Sequence, residues 1–256
     1  MKILTVIAAA AAMLTSSIVS SQQPEKPTIV LVHGAFADAS SWNGVIAILK
    51  KDGYSVVAVA NPLRSVKTDA RYVDDVMTGI KQPVVLVGHS YGGSVISEAH
   101  SSNVKALVYV AAFAPEIGET AAGLSGKFPG STLGSALAAP VTLAEGGKDL
   151  YIQQDRFHQQ FAADVLAADA VSMAAGQRPI TDGALNEPAS AAAWKTIPSW
   201  FIYGDADKNI PAQSLGFMAE RAKSKHTEVV RGGSHVVMIS NPKAVAKLIE
   251  RAATNI

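Results

Sequence analysis

A serine, Ser90, lies between a predicted strand and a predicted helix. Residues 88–92 read Gly-His-Ser-Tyr-Gly and follow the apolar run 83–87 directly. In a G-x-S-x-G turn of this kind, the two glycines avoid collisions with the neighbouring strand and helix, and the serine hydroxyl is held at the carboxyl edge of a sheet. The alternative is a structural glycine turn. The five apolar residues before the motif favour a nucleophilic Ser90.

A serine hydroxyl is a weak nucleophile and needs a base within hydrogen-bond reach. Among the six histidines, His235 follows the last predicted strand in a loop that two glycines loosen. Catalytic groups of open α/β sheets gather at the carboxyl ends of the strands, and this loop belongs to that edge. We therefore predict that His235 is the base; a loop histidine bonded only to backbone is the alternative.

The base needs an acid that orients it, and three carboxylates are candidates. Asp205 and Asp207 both follow the predicted strand 198–203, so either satisfies the chain order Ser, Asp, His. Asp207 is favoured because it lies deeper in the loop, whereas Asp205 is suited to bracing the turn. Glu116, after the predicted strand 104–110, is the third candidate.

A tetrahedral intermediate requires two donors for its oxyanion. The backbone N–H of Tyr91 is one candidate, since it follows the nucleophile at a helix N-terminus. The second donor is expected in the turn after the first strand, from the N–H of Ala35, with Phe36 as the alternative.

The strands and helices that must position these residues alternate regularly along the sequence. Apolar strands alternate with helix-length segments, which is typical of a parallel sheet buried on both faces. The fold class is therefore α/β, with a mostly parallel central sheet flanked by helices. The predicted strands are 28–32, 54–60, 83–87, 104–110, 198–203 and 226–230, and the predicted helices include 40–51, 68–80, 93–100 and 242–253.

This alternation stops between residues 116 and 195. This segment is rich in Ala, Gly, Ser and Gln and shows no clear strand. Its apolar spacing predicts helical pieces at about 150–165, 169–176 and 189–195. We interpret it as a small helical cap over the carboxyl edge of the sheet.

The N-terminus has the pattern of a secretory signal peptide. Lys2 precedes an apolar run of about a dozen residues and a small-residue exit near Ser21. The run is shorter than the roughly 20 residues that a membrane-spanning helix needs. We predict a signal peptide over 1–21, export to the periplasm or medium, and a single domain over 22–256.

Composition narrows the function classes. The chain has 256 residues, of which 48% are hydrophobic and 17% charged, and this balance is that of a globular protein. The formal net charge is +1 and no segment concentrates Lys or Arg, so nothing suggests nucleic acid as a partner. The absence of cysteine excludes disulfides, thiolate metal sites and a cysteine nucleophile.

These motifs together resemble the α/β-hydrolase superfamily over essentially the whole chain after residue 21. The stretches at 31–35, 88–93, 204–211 and 232–235 carry the resemblance. Within it, the sequence is similar to the small-cap branch of plant methylesterases, hydroxynitrile lyases and bacterial arylesterase-like hydrolases. That branch implies Asp207 as the acid, because it precedes Lys208, and Ala35 as the first oxyanion donor, because it follows His-Gly.

Two departures separate this chain from the lyases of that branch. They carry a threonine at the position of Gly34 and a lysine directly after the catalytic histidine, where this sequence has Val236. Without that cation a departing cyanide lacks stabilisation, so the resemblance implies hydrolysis.

We therefore expect a serine hydrolase that cleaves small carboxylic esters with water through an acyl-enzyme, without a metal or organic cofactor. A lactonase, a C–C hydrolase or a perhydrolase with the same triad is the alternative, and a non-catalytic ligand-binding protein is a further one. The oligomeric state stays open. Aromatic and apolar side chains could line the substrate pocket or pack in the core: Phe36, Phe128, Phe157, Phe161, Trp194, Val236 and Met238.

Overall fold

The computed structural model describes residues 26–256. The predicted signal peptide, residues 1–21, lies outside the described residues and stays a prediction. The first half of the fold alternates strands and helices: β1 (Thr28–Val32), α1 (Asn43–Lys51), β2 (Ser55–Val59), α2 (Val66–Met77), β3 (Val84–His89), α3 (Tyr91–Ser97) and β4 (Val104–Val110).

A cap follows β4. Its elements are α4 (Ala121–Gly126), α5 (Leu133–Ala136), β5 (Val141–Thr142), β6 (Lys148–Leu150), α6 (Gln154–Phe161), α7 (Ala167–Gly176), β7 (Ile180–Thr181) and α8 (Asp182–Asn186). A short 3₁₀ helix at Ala193–Lys195 leads back to the sheet. The remaining elements are β8 (Ser199–Gly204), α9 (Ala212–Arg221), β9 (Thr227–Val230), α10 (Val237–Ser240) and α11 (Pro242–Ala253).

Six of the strands form one parallel sheet in the order β2-β1-β3-β4-β8-β9. Every residue of β1, β3 and β8 is buried, because helices cover both faces of the sheet. The predicted parallel α/β fold is confirmed. Since β3 lies between β1 and β4, the turn that follows it comes to the middle of the carboxyl edge.

The flanking helices follow from amphipathic spacing and caps. Helix α2 begins after Ser65, whose side chain accepts a hydrogen bond from the N–H of Thr68. Its apolar positions, spaced three and four residues apart, are buried, and the helix packs beside α3. Helix α11 has the bounds that the sequence predicts, with Pro242 in its first turn.

The cap differs from the sequence prediction in its short elements. Helices α4, α5 and α8 lie outside the predicted helical pieces, and the piece predicted over 150–165 is helical only over α6. Strands β5, β6 and β7 form a small antiparallel sheet, so the expectation that residues 116–195 contain no strand is wrong. These strands are two or three residues long. A period of two residues leaves no readable pattern over such a length.

No helix within residues 26–256 is long and apolar enough to cross a bilayer.

Candidate active site

Ser90 lies in a strained turn between β3 and α3. Its φ is 53° and its ψ is −122°, in the left-handed half of the map that non-glycine residues rarely enter. A Cβ at Gly88 would lie 2.6 Å from the carbonyl oxygen of Gly92, and one at Gly92 would lie 2.5 Å from that of Val32. Both positions of the motif therefore require glycine.

His235 reaches Ser90 from the loop after β9. Its Nε2 lies 2.8 Å from the Ser90 Oγ, and its Nδ1 lies 2.6 Å from the Oδ2 of Asp207. A carboxylate only accepts hydrogen bonds, so the Nδ1 carries the proton and the Nε2 is free to accept the serine proton. All three side chains are buried, which shields this chain of hydrogen bonds from water.

The backbone of its own loop fixes Asp207. Its Oδ1 accepts hydrogen bonds from the N–H groups of Asn209 and Ile210, at 2.8 and 3.0 Å, which leaves the Oδ2 for the imidazole. The other candidate acids lie elsewhere. Asp205 is exposed and accepts from the N–H of Gly232 at 2.6 Å. Glu116 pairs with Lys195 at 2.6 Å, and that hydrogen bond lowers the Glu116 pKa.

Two backbone N–H groups at the site have no hydrogen-bond partner among the described residues. Tyr91 is the first residue of α3, so its N–H has no partner within the helix. The N–H of Ala35 is the second. The alternative donor, the N–H of Phe36, is occupied because it donates to the Arg178 carbonyl at 2.9 Å.

His33 sets the direction of the Ala35 N–H. The His33 Nε2 accepts from the N–H of Asn61 at 3.1 Å, so its Nδ1 carries the proton and donates to the Gly34 carbonyl at 2.9 Å. The C=O and N–H of a trans peptide point in opposite directions. The Ala35 N–H is therefore turned away from the His33 ring. Burial lowers the pKa of His33 and favours this neutral ring.

A second neutral histidine packs beneath the base. The ring centroids of His89 and His235 are 4.9 Å apart, and the His89 Nε2 lies 3.1 Å from the His235 carbonyl oxygen. Burial holds the pKa of His89 well below its usual range, and the neighbouring His235 adds to this shift. A neutral His89 places no positive charge beside the imidazole that must accept a proton.

A cavity of about 310 Å³ opens onto Ser90. Its lining side chains are small, apolar or uncharged: Ala35, Phe36, Ser90, Tyr91, Phe113, Ala121, Ala122, Ser125, Gly126, Ser131, Leu133, Gly134, Leu137, Leu185, Asn209 and Ile210. Helices α4, α5 and α8 supply most of the cap side. No group of three or more His, Asp or Glu in residues 26–256 is arranged to hold a metal ion.

The family follows from sequence comparison. A family model described as "Alpha/beta hydrolase family" matches residues 29–248. The chain belongs to the alpha/beta hydrolase family. The alpha/beta hydrolase nvfD of Aspergillus novofumigatus is 30% identical over 250 residues, which cover 89% of this chain and 97% of that protein.

More distant members of the alpha/beta hydrolase family differ in activity. The alpha-hydroxynitrile lyase of Arabidopsis thaliana is 23% identical over 254 residues, 90% of this chain and 98% of the lyase. The crystal structure of polyneuridine aldehyde esterase superposes with a TM-score of 0.76 at 19% identity, covering 88% of this chain and 98% of the esterase. This likeness supports the alpha/beta hydrolase fold.

The cavity of this alpha/beta hydrolase is lined by Phe36, as the sequence predicts, but not by the other aromatic and apolar candidates. Phe128 packs against Phe217, with ring centroids 5.7 Å apart. The indole N–H of Trp194 donates to the Pro115 carbonyl at 2.8 Å. The remaining predicted lining residues are fully buried packing residues: Phe157, Phe161, Val236 and Met238.

The difference from the prediction has a physical cause. Large apolar side chains suit a pocket wall, but in this protein they fill the core and the base of the cap. Phe161, for example, packs against the ring of His235, with centroids 5.2 Å apart. The cavity exists where side chains are small, as at Ala121 and Ala122. No local sequence signal marks such residues as pocket-lining.

Proposed function

We propose that the protein is a serine hydrolase that cleaves small, uncharged carboxylic esters through an acyl-enzyme. The observation that carries the proposal is the buried chain of hydrogen bonds from Ser90 through His235 to Asp207, which opens into the cavity. This arrangement supplies a nucleophile, a base with an unprotonated nitrogen and an acid that fixes the tautomer.

In the first half of the reaction, the Ser90 Oγ bonds to the ester carbonyl carbon and its proton passes to the His235 Nε2. The carbonyl oxygen becomes an oxyanion that accepts hydrogen bonds from the N–H groups of Ala35 and Tyr91. The imidazolium stays beside the Asp207 carboxylate. It then gives its proton to the alcohol oxygen as the bond between that oxygen and the carbonyl carbon breaks.

The second half releases the acid. His235 takes a proton from water, and the resulting hydroxide bonds to the acyl carbon of the Ser90 ester. The second tetrahedral intermediate uses the same two N–H donors. When the bond to Ser90 breaks, the proton on His235 returns to the Oγ, and the carboxylic acid leaves. One water is consumed, and the side chains return to their starting protonation states.

The cavity supports a small and neutral substrate. Its volume of about 310 Å³ is at the low end of the usual range for ligand pockets. No charged side chain from residues 26–256 lines it, so an ionised group on the substrate would be desolvated without a counter-ion there. A short acyl or aryl ester meets both conditions.

The site favours hydrolysis over the lyase reaction named for the Arabidopsis relative. The residue after His235 is Val236, which is fully buried and apolar. It offers no cation to a leaving anion. A water molecule as the second reactant needs no such group, because His235 itself activates it.

Covalent labelling tests this proposal. A fluorophosphonate probe is expected to label the wild-type protein, and Ser90→Ala is expected to abolish labelling and to lower 4-nitrophenyl butanoate hydrolysis by about 10³-fold or more. Ser94→Ala is the matched control, since Ser94 lies in α3, which Ser90 precedes, and its buried hydroxyl has no hydrogen-bond partner within residues 26–256. Labelling that persists in Ser90→Ala, or is lost in Ser94→Ala, would contradict the assignment.

A further inference from the structure

The cavity contains a polar corner opposite its apolar walls. Asn209 lines the cavity and is only 3% exposed. It follows the proposed acid by two residues. Its backbone N–H is bonded to Asp207, and its backbone carbonyl accepts from Ser125 and Ser131, so the main chain of this residue is fully used.

The orientation of the Asn209 amide is fixed by its neighbours. Gln160 is buried, and one atom of its amide lies 3.0 Å from the Lys208 carbonyl oxygen. A carbonyl only accepts, so this atom is the Gln160 Nε2. The same Nε2 lies 2.8 Å from one amide atom of Asn209, which must therefore be its Oδ1.

The Nδ2 of Asn209 has no hydrogen-bond partner in the part of the chain that the structure describes. Neither of its two N–H groups donates to a described residue, although the side chain is almost entirely buried. The nitrogen also keeps accessible surface, since it is not among the enclosed polar atoms that lack a partner. We infer from this accessible surface and from the place of Asn209 in the cavity wall that its free N–H groups face the space that a substrate would fill.

Two hydroxyl oxygens complete the corner. Ser125 and Ser131 donate their protons to the Asn209 carbonyl oxygen, at 2.8 and 2.9 Å, and both line the cavity. A hydroxyl that has given its proton still has lone pairs to accept a bond. The corner therefore offers two N–H donors beside two acceptors, without a formal charge.

We propose that Asn209, with Ser125 and Ser131, forms a subsite for an uncharged oxygen function on the substrate, separate from the ester group. The inference rests on the proposed esterase function and specifies its substrate class: esters that carry an ether, keto or hydroxyl oxygen. An ether or keto oxygen accepts from the Asn209 Nδ2, and a hydroxyl also donates to a serine oxygen. A second carboxylate is unsuited, because no cationic side chain of the described residues lines the cavity.

Isosteric substrate pairs test this subsite. In 4-nitrophenyl methoxyacetate and 4-nitrophenyl butanoate, an ether oxygen replaces one methylene of the acyl chain. In 2-methoxyethyl acetate and butyl acetate, the same exchange is made in the alcohol. For one pair, Asn209→Leu is expected to lower kcat/KM more for the ether ester than for its hydrocarbon partner. The expected difference is about threefold to tenfold, because one uncharged hydrogen bond is worth about that much.

Each variant is judged by the ratio of its kcat/KM values for the two esters of a pair. A general loss of activity from a disturbed Asp207 loop affects both esters and cancels in that ratio. Ile210→Val is the matched control, since it alters the same loop and the same cavity wall without changing a polar side-chain atom. Its ratios are expected to stay within about twofold of wild type. Asn209→Ala serves as the second variant, and thermal unfolding checks that each variant is folded.

The outcomes separate the two proposals. If wild type hydrolyses these esters in a Ser90-dependent manner but Asn209→Leu and Asn209→Ala leave both ratios unchanged, the subsite is refuted and the esterase function stands. If wild type hydrolyses none of them and takes no fluorophosphonate label, both proposals fail.

Discussion

The hydroxyl of Tyr91 donates a hydrogen bond to the Oδ2 of Asp69 across 3.0 Å. Tyr91 is thereby held at both ends, by α3 through its backbone and by α2 through its ring. Asp69 is fully buried and also accepts from the N–H of Arg64, whose guanidinium pairs with Asp149 of the cap at 2.7 Å. The Asp69 carboxyl thus links Tyr91, whose backbone N–H is a proposed oxyanion donor, to Arg64, whose side chain is bonded to the cap.

Breaking this contact should cost stability. Asp69→Ala leaves the Tyr91 hydroxyl and the Arg64 N–H without a buried partner, and we expect a loss of about 2–4 kcal/mol in the free energy of unfolding. Tyr91→Phe removes the hydroxyl that donates to Asp69, while the carboxyl keeps its hydrogen bond from the Arg64 N–H. The expected loss in the free energy of unfolding is about 1–2 kcal/mol. Urea denaturation of both single variants and the double variant measures the two effects and their coupling. Losses that simply add would show that the pair is not coupled.

The acid assignment gives a second prediction. Asp207→Asn removes the acceptor that holds the Nδ1 proton of His235, so the imidazole is no longer kept in the tautomer that accepts from Ser90. We expect kcat to fall by about 10³-fold or more. Ester turnover of the purified variants measures this loss.

Two neighbouring carboxylates provide the controls for that experiment. Asp205→Asn and Glu116→Gln alter exposed or partly exposed groups that bond to Gly232 and Lys195, not to His235. Both variants are expected to keep turnover within about tenfold of wild type. A severe loss in Asp205→Asn, with Asp207→Asn active, would transfer the acid role to Asp205.

A third prediction concerns the closeness of the oxyanion turn to the nucleophile. A Cβ at Gly34 would lie 2.6 Å from the Ser90 Cβ and 2.7 Å from the His89 carbonyl oxygen. Gly34→Ala must therefore displace either the turn or the serine, and we expect ester turnover to drop by about 10²-fold or more, because a misplacement of reacting groups by about 1 Å can cost that much.

Gly79→Ala is the matched control for this substitution. A Cβ at Gly79 would meet no atom within 4 Å, so the added methyl is tolerated. Turnover and thermal unfolding of the two variants are compared side by side. Unimpaired turnover in Gly34→Ala would mean that the turn can relax without losing the Ala35 donor.

The sheet and the residues at its carboxyl edge could be predicted because local sequence encodes them. Strand β3 begins as an unbroken apolar run and ends in Gly88 and His89, and parallel strands bring their carboxyl ends to one edge. Ser90, Asp207 and His235 each follow a strand of the parallel sheet, so their meeting depends only on strand order. Helix α11 was predictable for a similar reason, since Pro242 fixes its start.

The cap was less predictable because its structure depends on distant contacts. Strand β6 is three residues long, and its neighbours β5 and β7 pair with it across loops and helices. The cavity wall depends on where the small residues of α4 and α5 meet the loop of Asn209. That placement comes from hydrogen bonds such as those of Ser125 and Gln160, which no period in the sequence reports.

The two buried histidines give the last prediction, a dependence of stability on pH. Burial lowers the folded-state pKa of both His33 and His89 below the usual 6.5. Between the folded and unfolded pKa the unfolded chain binds more protons, so stability rises with pH there and is fully present above about pH 6.5. Acidification below that value should lower the free energy of unfolding by about 1.4 kcal/mol per pH unit for each ring that stays neutral in the fold.

Asp69 acts in the opposite direction at lower pH. Burial raises its folded-state pKa above the usual 3.8, so the native state binds the extra proton and stability falls as pH rises through that interval. Urea denaturation between pH 4 and 8 should show a positive slope that begins near pH 6.5 and steepens below it, as the histidines of the unfolded chain become protonated. His33→Asn and His89→Asn are each expected to reduce that slope. A slope unchanged in both variants would assign the dependence to other groups.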